Sequence, residues 1–453
     1  MMQTLILVLS ICSELLLAVG MYRFFKKAGE KSYLAFIPFI NAITMHRIMG
    51  KPFYHFFLQL IPILNVYYYA ADIIDFLSCF GISSYKQRVY ALAFGPFYFI
   101  KKSFRALPEY RGPSTYVHAS IKQVFLVLLP AMAFWILPAV LLRAFVFESF
   151  SIPTPSCANT LRVGDIVIVS KLHYGPRTCA LPLQIPLTHQ RIKALDIPSY
   201  SNAIELPYFR LPGFSEIKRN DMVVFNWPAD EEYPRDMKTF YIKRCVALAG
   251  DTLQIIDTEV LVNGKPAQQP AEVQFQYYLI TQENLNERLF EEHGITDYYQ
   301  IPEGFIVHTK PSTAKKLEKL PFIQHVIMNK QQKGVGEPQV FPYHSKWNVD
   351  FYGPLWIPQK GATLQMTSEN VLVYWSTIAQ YEGLENVKKE ADKLWIEGKP
   401  VDSYTFRQNY YFMMGDSRHN SLDSRFWGFV PEDHIEGKGV YVYHESGGGE
   451  DIK

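Results

Sequence analysis

Long apolar runs are confined almost entirely to the first 150 residues, and from Asp165 onward they give way to short β-branched runs. The early pattern predicts membrane helices, since a spanning helix needs ~20 mostly apolar residues. Leu5 to Phe25 has that length. It lacks the basic start and small-residue cleavage site of a removable leader and carries Glu14, so it is expected to stay attached. Phe53 to Ile82 is a second candidate, interrupted by Pro62 and Asn65 and carrying Asp72 and Asp75. Val89 to Ile100 is a third, shorter one. Ile121 to Phe147 is the clearest, because neighbouring helices accommodate its Pro130 and Pro138. Four spans are expected. Tyr33 to Asn41 reads as an interfacial stretch, with aromatics at headgroup depth.

Charge orients these runs. Arg23, Lys26, Lys27, Lys31, Arg47 and Lys51 flank the first gap, and Lys101, Lys102, Arg105, Arg111 and Lys122 fill the gap before the last span. Basic loops stay cytoplasmic, so the last span runs outward. The expected organisation is a multi-span module over residues 1–112, an anchor over 121–147 and an outer domain over 148–453. Ionisable groups inside apolar segments raise a functional hypothesis. The plainer reading of Glu14, Asp72 and Asp75 is that they lie near span ends or pair with lysines between helices.

The outer domain reads as mostly β. Asp165 to Lys171, Asp221 to Trp227, Phe240 to Leu248, Thr252 to Val262 and Lys438 to Tyr443 have strand composition between turn-forming residues. One helix is predicted at Leu384 to Leu394, where Leu384, Val387, Ala391 and Leu394 recur at helical spacing. Two similar hairpin tags, Val262 to Pro266 and Ile396 to Pro400, bracket an insertion at Gln268 to Glu390. A second, proline-punctuated insertion covers Leu172 to Ile217.

Composition removes several function classes. A net charge of +2 offers no basic stripe for nucleic acid. The five cysteines are scattered, with no CxxC pair and no HExxH, so no metal and no cofactor are expected. What remains is a set of polar stretches. Ser156 sits among prolines in Ile152 to Asp165, directly after the last apolar run. A serine hydroxyl needs a base. In Tyr241 to Leu248, period-two alternation places Lys243 with Tyr241, Cys245 and Ala247, where desolvation favours the neutral amine that a base must be. Arg244 faces the other way and needs a carboxylate if buried. Gly415 to Gly428 is dense in polar groups between apolar flanks and can supply that carboxylate and an orienting hydroxyl. Taken singly, each feature also has a plain structural reading as a turn serine or a solvent-facing lysine.

Together, these stretches resemble the signature boxes of type I signal peptidases, the membrane-bound Ser-Lys endopeptidases. The family's nucleophile box, I-P-[ST]-x-S-M-x-x-[ST]-L-x-x-G-D, is similar to Ile152–Asp165 at all but one fixed position, Cys157 replacing Met. Its lysine box matches Tyr241–Asp251, with Ala249 where proline is usual. Its terminal box matches Gly415–Gly428 throughout, and Arg219 to Pro228 fits the intervening strand box. Trp347 to Pro358 is similar to a segment of longer members. The first 110 residues resemble a multi-span module fused to some members, including I-P-F-x-N at Ile37 to Asn41.

The resemblance implies an antiparallel β catalytic domain with a coiled barrel core and large insertions behind the helical spans. It implies Ser156 as nucleophile and Lys243 as general base. Thr154 stands where a hydroxyl joins the Ser156 N–H in the oxyanion hole, and Ser421 where a second serine orients the lysine. Asp416, Asp423, Arg425 and Arg244 stand at the positions of a supporting ion-pair network. The implied substrates are exported preproteins with small residues before the cut. Membrane lipid and the secretion translocon are the other implied partners, and the location is multi-pass in a bacterial inner membrane with the catalytic domain on the periplasmic side. Two rivals are a catalytically silent paralogue that binds exported chains and a self-cleaving Ser-Lys regulator. The regulator is disfavoured by the spans and by the lack of a DNA-binding segment.

Overall fold

The computed structural model describes residues 2–452 apart from 63, 106, 114–118, 159, 186–187, 193–194, 284 and 445–447. Asn159 of the serine stretch and a few positions of both insertions therefore lie outside the described residues. Chain contacts divide the protein into two compact units, Met1–Leu141 and Leu142–Lys453.

The first unit is helical. Met2–Lys27, Ile40–Met49, Leu64–Cys79 and Tyr85–Arg105 pack around Phe24, Phe25, Phe76, Phe80 and Phe99, all buried. The expected run at Phe53 to Ile82 is broken into His55–Leu58 and Leu64–Cys79. The latter has 16 residues; at 1.5 Å per residue it spans ~24 Å, short of a ~30 Å hydrocarbon core. Tyr85–Arg105 is kinked where Gly95, at φ 31°, precedes Pro96. Among the described residues one helix, Ile121–Phe145, is both long and apolar enough to cross a membrane. Asp72 and Asp75 adopt the plainer role. Lys51 Nζ pairs with Asp72 and, at 2.8 Å, with Asp75, while His46 Nε2 lies 2.9 Å from Asp72. Glu14 lines a cavity of about 450 Å³ with apolar neighbours.

The second unit is built on a curled antiparallel sheet. Its strand order is Phe147–Ser151, Ile166–Ser170, Ile435–Tyr443, Met222–Asn226, Phe240–Ala247, Tyr410–Met414 and Val430–Pro431, with Gly449–Asp451 also paired to Ile435–Tyr443. Register shifts at Ile168/Val169, Ile435/Gly437 and Phe412/Met413 mark bulges, which add twist and bend the sheet. Both faces of the central strand are covered. Met222 and Val224 join Ile152, Cys157 and Leu161, whereas Val223 and Phe225 join Cys245, Met413 and Ile435. The serine turn thus sits on one face of the sheet as part of its core.

Two sequence expectations change. Thr252 to Val262 is a hairpin of two strands, Thr252–Ile256 and Glu259–Val262, because Asp257 and Thr258 turn the chain at positive φ. The helix expected at Leu384 to Leu394 is absent. Val387–Glu390 and Lys393–Ile396 form a hairpin around Ala391 at φ 51°, with Leu394 buried. Charged residues fill most of that segment, and of its four helically spaced apolar residues only Leu394 is buried, so they do not form one buried stripe. The helix of this region is instead Ser368–Tyr381, capped by Thr367, whose hydroxyl accepts from Asn370 N–H, and burying Val371, Tyr374 and Ile378. The two tags are matching turns: Asn263–Gly264 and Glu397–Gly398 both have positive φ. That is the type I′ hairpin geometry.

Candidate active site

The stretch Ile152 to Asp165 closes on itself. Ile152 N–H donates to Asp165 O at 2.9 Å, and Gly164 N–H returns to Ile152 O at 2.9 Å. Inside this loop Pro155–Cys157 makes a 3-10 turn, which proline at its first position pre-organises by fixing φ. Leu161 N–H donates to Cys157 O at 2.8 Å, and the fully buried Leu161 side chain pins the turn to the core. Ser156 therefore has little backbone freedom.

Phe240–Ala247 brings the lysine. Lys243 is 4% exposed, and its Nζ donates to Ser156 Oγ at 2.6 Å. Among the described residues no carboxylate lies within ion-pair distance of Nζ, and the Tyr241 ring centroid is 5.4 Å away. The two groups open onto a cleft of about 770 Å³ lined by Phe150, Ile152, Thr154, Phe240, Ile242, Asn420 and Leu422, among others. Cys157, by contrast, points into the core. It is 1% exposed, its Sγ lies 3.7 Å from Ile242 O, and burial pushes its thiol up. A buried protonated thiol is a poor nucleophile.

The loop Gly415 to Gly428 is fastened by two bidentate ion pairs. Arg244 donates to Asp416 through Nε at 2.8 Å and Nη2 at 2.7 Å, so the carboxylate that a buried Arg244 required is present. Arg425 binds Asp423 in the same way, at 2.9 and 2.8 Å. Burial alone would raise both carboxyls, but the guanidiniums beside them outweigh it and hold them below the usual range. Thr160, which the sequence reading did not single out, donates its hydroxyl to Asp416 at 2.7 Å and so ties the serine turn to this loop. Its position in the nucleophile box, one residue before the buried Leu161, was the available signal.

Ser421 lies near this centre, yet among the described residues its buried Oγ makes no hydrogen bond, to Lys243 or otherwise. It packs against Gly415. A Cβ added at Gly415 would meet Ser421 Oγ at 2.2 Å and the carbonyl oxygen of Ser156 at 2.6 Å. Gly415→Ala is therefore expected to push the loop off the serine turn, since overpacking typically costs about 1–3 kcal/mol and small misplacements cost up to roughly a hundredfold in rate. Wild-type kcat and melting temperature in that variant would contradict this packing. Thr154 is exposed, in extended backbone, and lines the cleft.

A curled antiparallel sheet that lays a serine hydroxyl against a buried lysine has the architecture of a serine peptidase. The family model described as "Signal peptidase, peptidase S26" matches residues 121–311 and 378–444, more than half of the chain. The chain belongs to that family. Among similar proteins, signal peptidase I of Buchnera aphidicola subsp. Schizaphis graminum is 25% identical over 303 residues, covering 67% of this chain and 70% of that one. Signal peptidase I of Aquifex aeolicus is 24% identical, covering 68% and 80%. That of Haemophilus influenzae is 28% identical, covering 67% and 65%. These relatives lend no support to a binding-only paralogue. Residues 33–113 match a family of unknown function.

Proposed function

We propose that this chain is an integral membrane endopeptidase that removes signal peptides from exported preproteins, with Ser156 as nucleophile and Lys243 as general base. The observation that carries the reading is the 2.6 Å contact between Lys243 Nζ and Ser156 Oγ, made by a buried lysine with no carboxylate beside it. The neutral amine takes the hydroxyl proton as Oγ attacks the scissile carbonyl. The resulting ammonium then gives that proton to the departing amine, leaving an ester on Ser156. Water, deprotonated by the same amine, attacks the ester; the signal peptide leaves as a carboxylic acid and Oγ regains its proton.

Thr154 Oγ and the Ser156 N–H are the proposed oxyanion donors; removing one such donor typically costs ~2.7–4 kcal/mol. Ser421 is the proposed orienting hydroxyl. Phe150, Ile152, Phe240 and Ile242 make the cleft apolar, which suits apolar side chains before the cut, small ones being the proposed preference. The proposed setting is multi-pass, with Ile121–Phe145 as the anchor before the catalytic unit, that unit on the translocated side, and lipid and the translocon as neighbours.

The test uses solubilised full-length protein and a preprotein. Wild type should make one cut after a small residue. Ser156→Ala should make none, and Cys157→Ala should keep cutting. Cleavage that survives Ser156→Ala but not Cys157→Ala would reverse the assignment.

A further inference from the structure

The loop Gly415 to Gly428 has a second set of fastenings, made by the insertion. It carries Asn420 and Leu422 into the Ser156 cleft, and its Ser417 N–H donates to the carbonyl of Ser156 at 3.1 Å. From the insertion, Gln274 bridges Ser417: Gln274 N–H donates to Asp416 O and Arg418 N–H to Gln274 O, each at 2.9 Å. Beyond this bridge come two side-chain ties. Asn420 Nδ2 donates to Asp297 at 2.7 Å. His419 Nδ1 accepts from Gln276 N–H at 3.1 Å, while its Nε2 lies 2.8 Å from Asp350 Oδ1.

A ring whose Nδ1 accepts a backbone N–H carries its proton on Nε2 and donates it to the carboxylate, so both nitrogens are committed. Asp350 is itself held, its other oxygen accepting from Gln331 N–H at 2.8 Å. His419 and Asp350 are 6% and 2% exposed, so the bond is shielded from water and either partner left alone would be a buried unmatched group. Asp350 lies outside the residues that the family model matches.

We infer that the insertion is a positioning element for the catalytic loop, acting through His419 and Asn420 on the residues that face Ser156, with Asp350 and Asp297 as its anchors. This rests on the Ser156–Lys243 reading. It assigns the insertion a role in turnover that neither the family match nor the sequence pattern supplies.

The experiment measures kcat and KM of the full-length solubilised protein on a signal-peptide substrate. The variants are His419→Phe, Asp350→Leu, their double, Asp350→Asn and Asp297→Ala, with Ser156→Ala as control. Displacing the loop should lower kcat by roughly tenfold to a hundredfold in His419→Phe and Asp350→Leu, with KM within about twofold. The double should match the worse single variant, because both remove one bond. Asp350→Asn keeps an oxygen acceptor for Nε2–H but turns an NH2 towards Gln331 N–H, so its kcat should lie between those of Asp350→Leu and wild type. Unchanged kcat in both His419→Phe and Asp350→Leu overturns the inference while leaving the dyad intact. So does a KM effect without a kcat effect. Should the apolar variants not fold, Asp297→Ala carries the test at a side chain 10% exposed that also lies 3.0 Å from His308: lowered kcat supports the inference and wild-type kcat overturns it. Wild-type inactivity, or cleavage surviving Ser156→Ala, would instead defeat the underlying peptidase assignment.

Discussion

Lys243→Met is expected to abolish cleavage, lowering kcat by roughly 10⁴-fold or more, in line with losses seen when a nucleophile's base is removed. Methionine keeps the length and apolar stem of lysine and removes only the amine. The fold should not suffer, because the amine it replaces is buried with no carboxylate within ion-pair distance among the described residues. Lys243→Arg should fail as completely. A guanidinium stays protonated and cannot accept a proton from Ser156, so the pair of variants separates a base from a mere positive charge. No other described group is placed to substitute. Both ring nitrogens of His419 are engaged, and Arg244 is locked to Asp416. The check is single-turnover cleavage alongside a melting curve; residual activity in Lys243→Arg near that of wild type would remove the base assignment.

The second large effect concerns stability. Arg244→Met should leave Asp416 as a buried, uncompensated carboxylate, and breaking a buried pair in this way costs about 3–5 kcal/mol. Asp416→Leu should be comparably harmful, since it removes the carboxylate paired with the buried Arg244 charge and the acceptor of the Thr160 hydroxyl. The double variant Arg244→Met with Asp416→Leu should be less destabilised than the sum of the two, because it buries no orphan charge. Full additivity in denaturant unfolding would show that the pair is not coupled.

The same pairs set an acid limit. Asp416 and Asp423 have folded-state values depressed below the usual carboxylate range, against about 3.9 when unfolded. Their contribution is complete above the unfolded value and is lost as pH falls through the folded one. Stability from these pairs should hold from neutral pH down to about pH 4–5 and fall below it. Asp416→Asn should lose part of that acid dependence.

Much of this was legible in the chain, and for physical reasons. Ser156, Lys243 and the loop at Gly415 sit in stretches whose prolines, glycines and alternating polar groups state the local geometry directly. Strands at Ile166, Met222 and Phe240 were readable because both faces of the sheet demand apolar residues. The hairpin at Val387 was misread because two strands joined by a left-handed alanine mimic helical spacing over one short window. The tie between His419 and Asp350 could not be read, since 69 residues separate the partners and no pattern in the chain pairs their two stretches. Ser421 shows a different limit: its box position is plain from the sequence, but the sequence does not show that its buried Oγ makes no hydrogen bond among the described residues.

The distances along the chain also bear on how the protein is made. Ser156 and Lys243 are 87 residues apart, and Arg244 meets Asp416 only 172 residues later. During synthesis the serine turn and its lysine emerge well before the loop that ties them together. A growing chain therefore carries the proposed nucleophile before the carboxylates that set it in place. The proposed dyad is fastened only once Asp416 of the Gly415 to Gly428 loop has followed, 172 residues after Arg244.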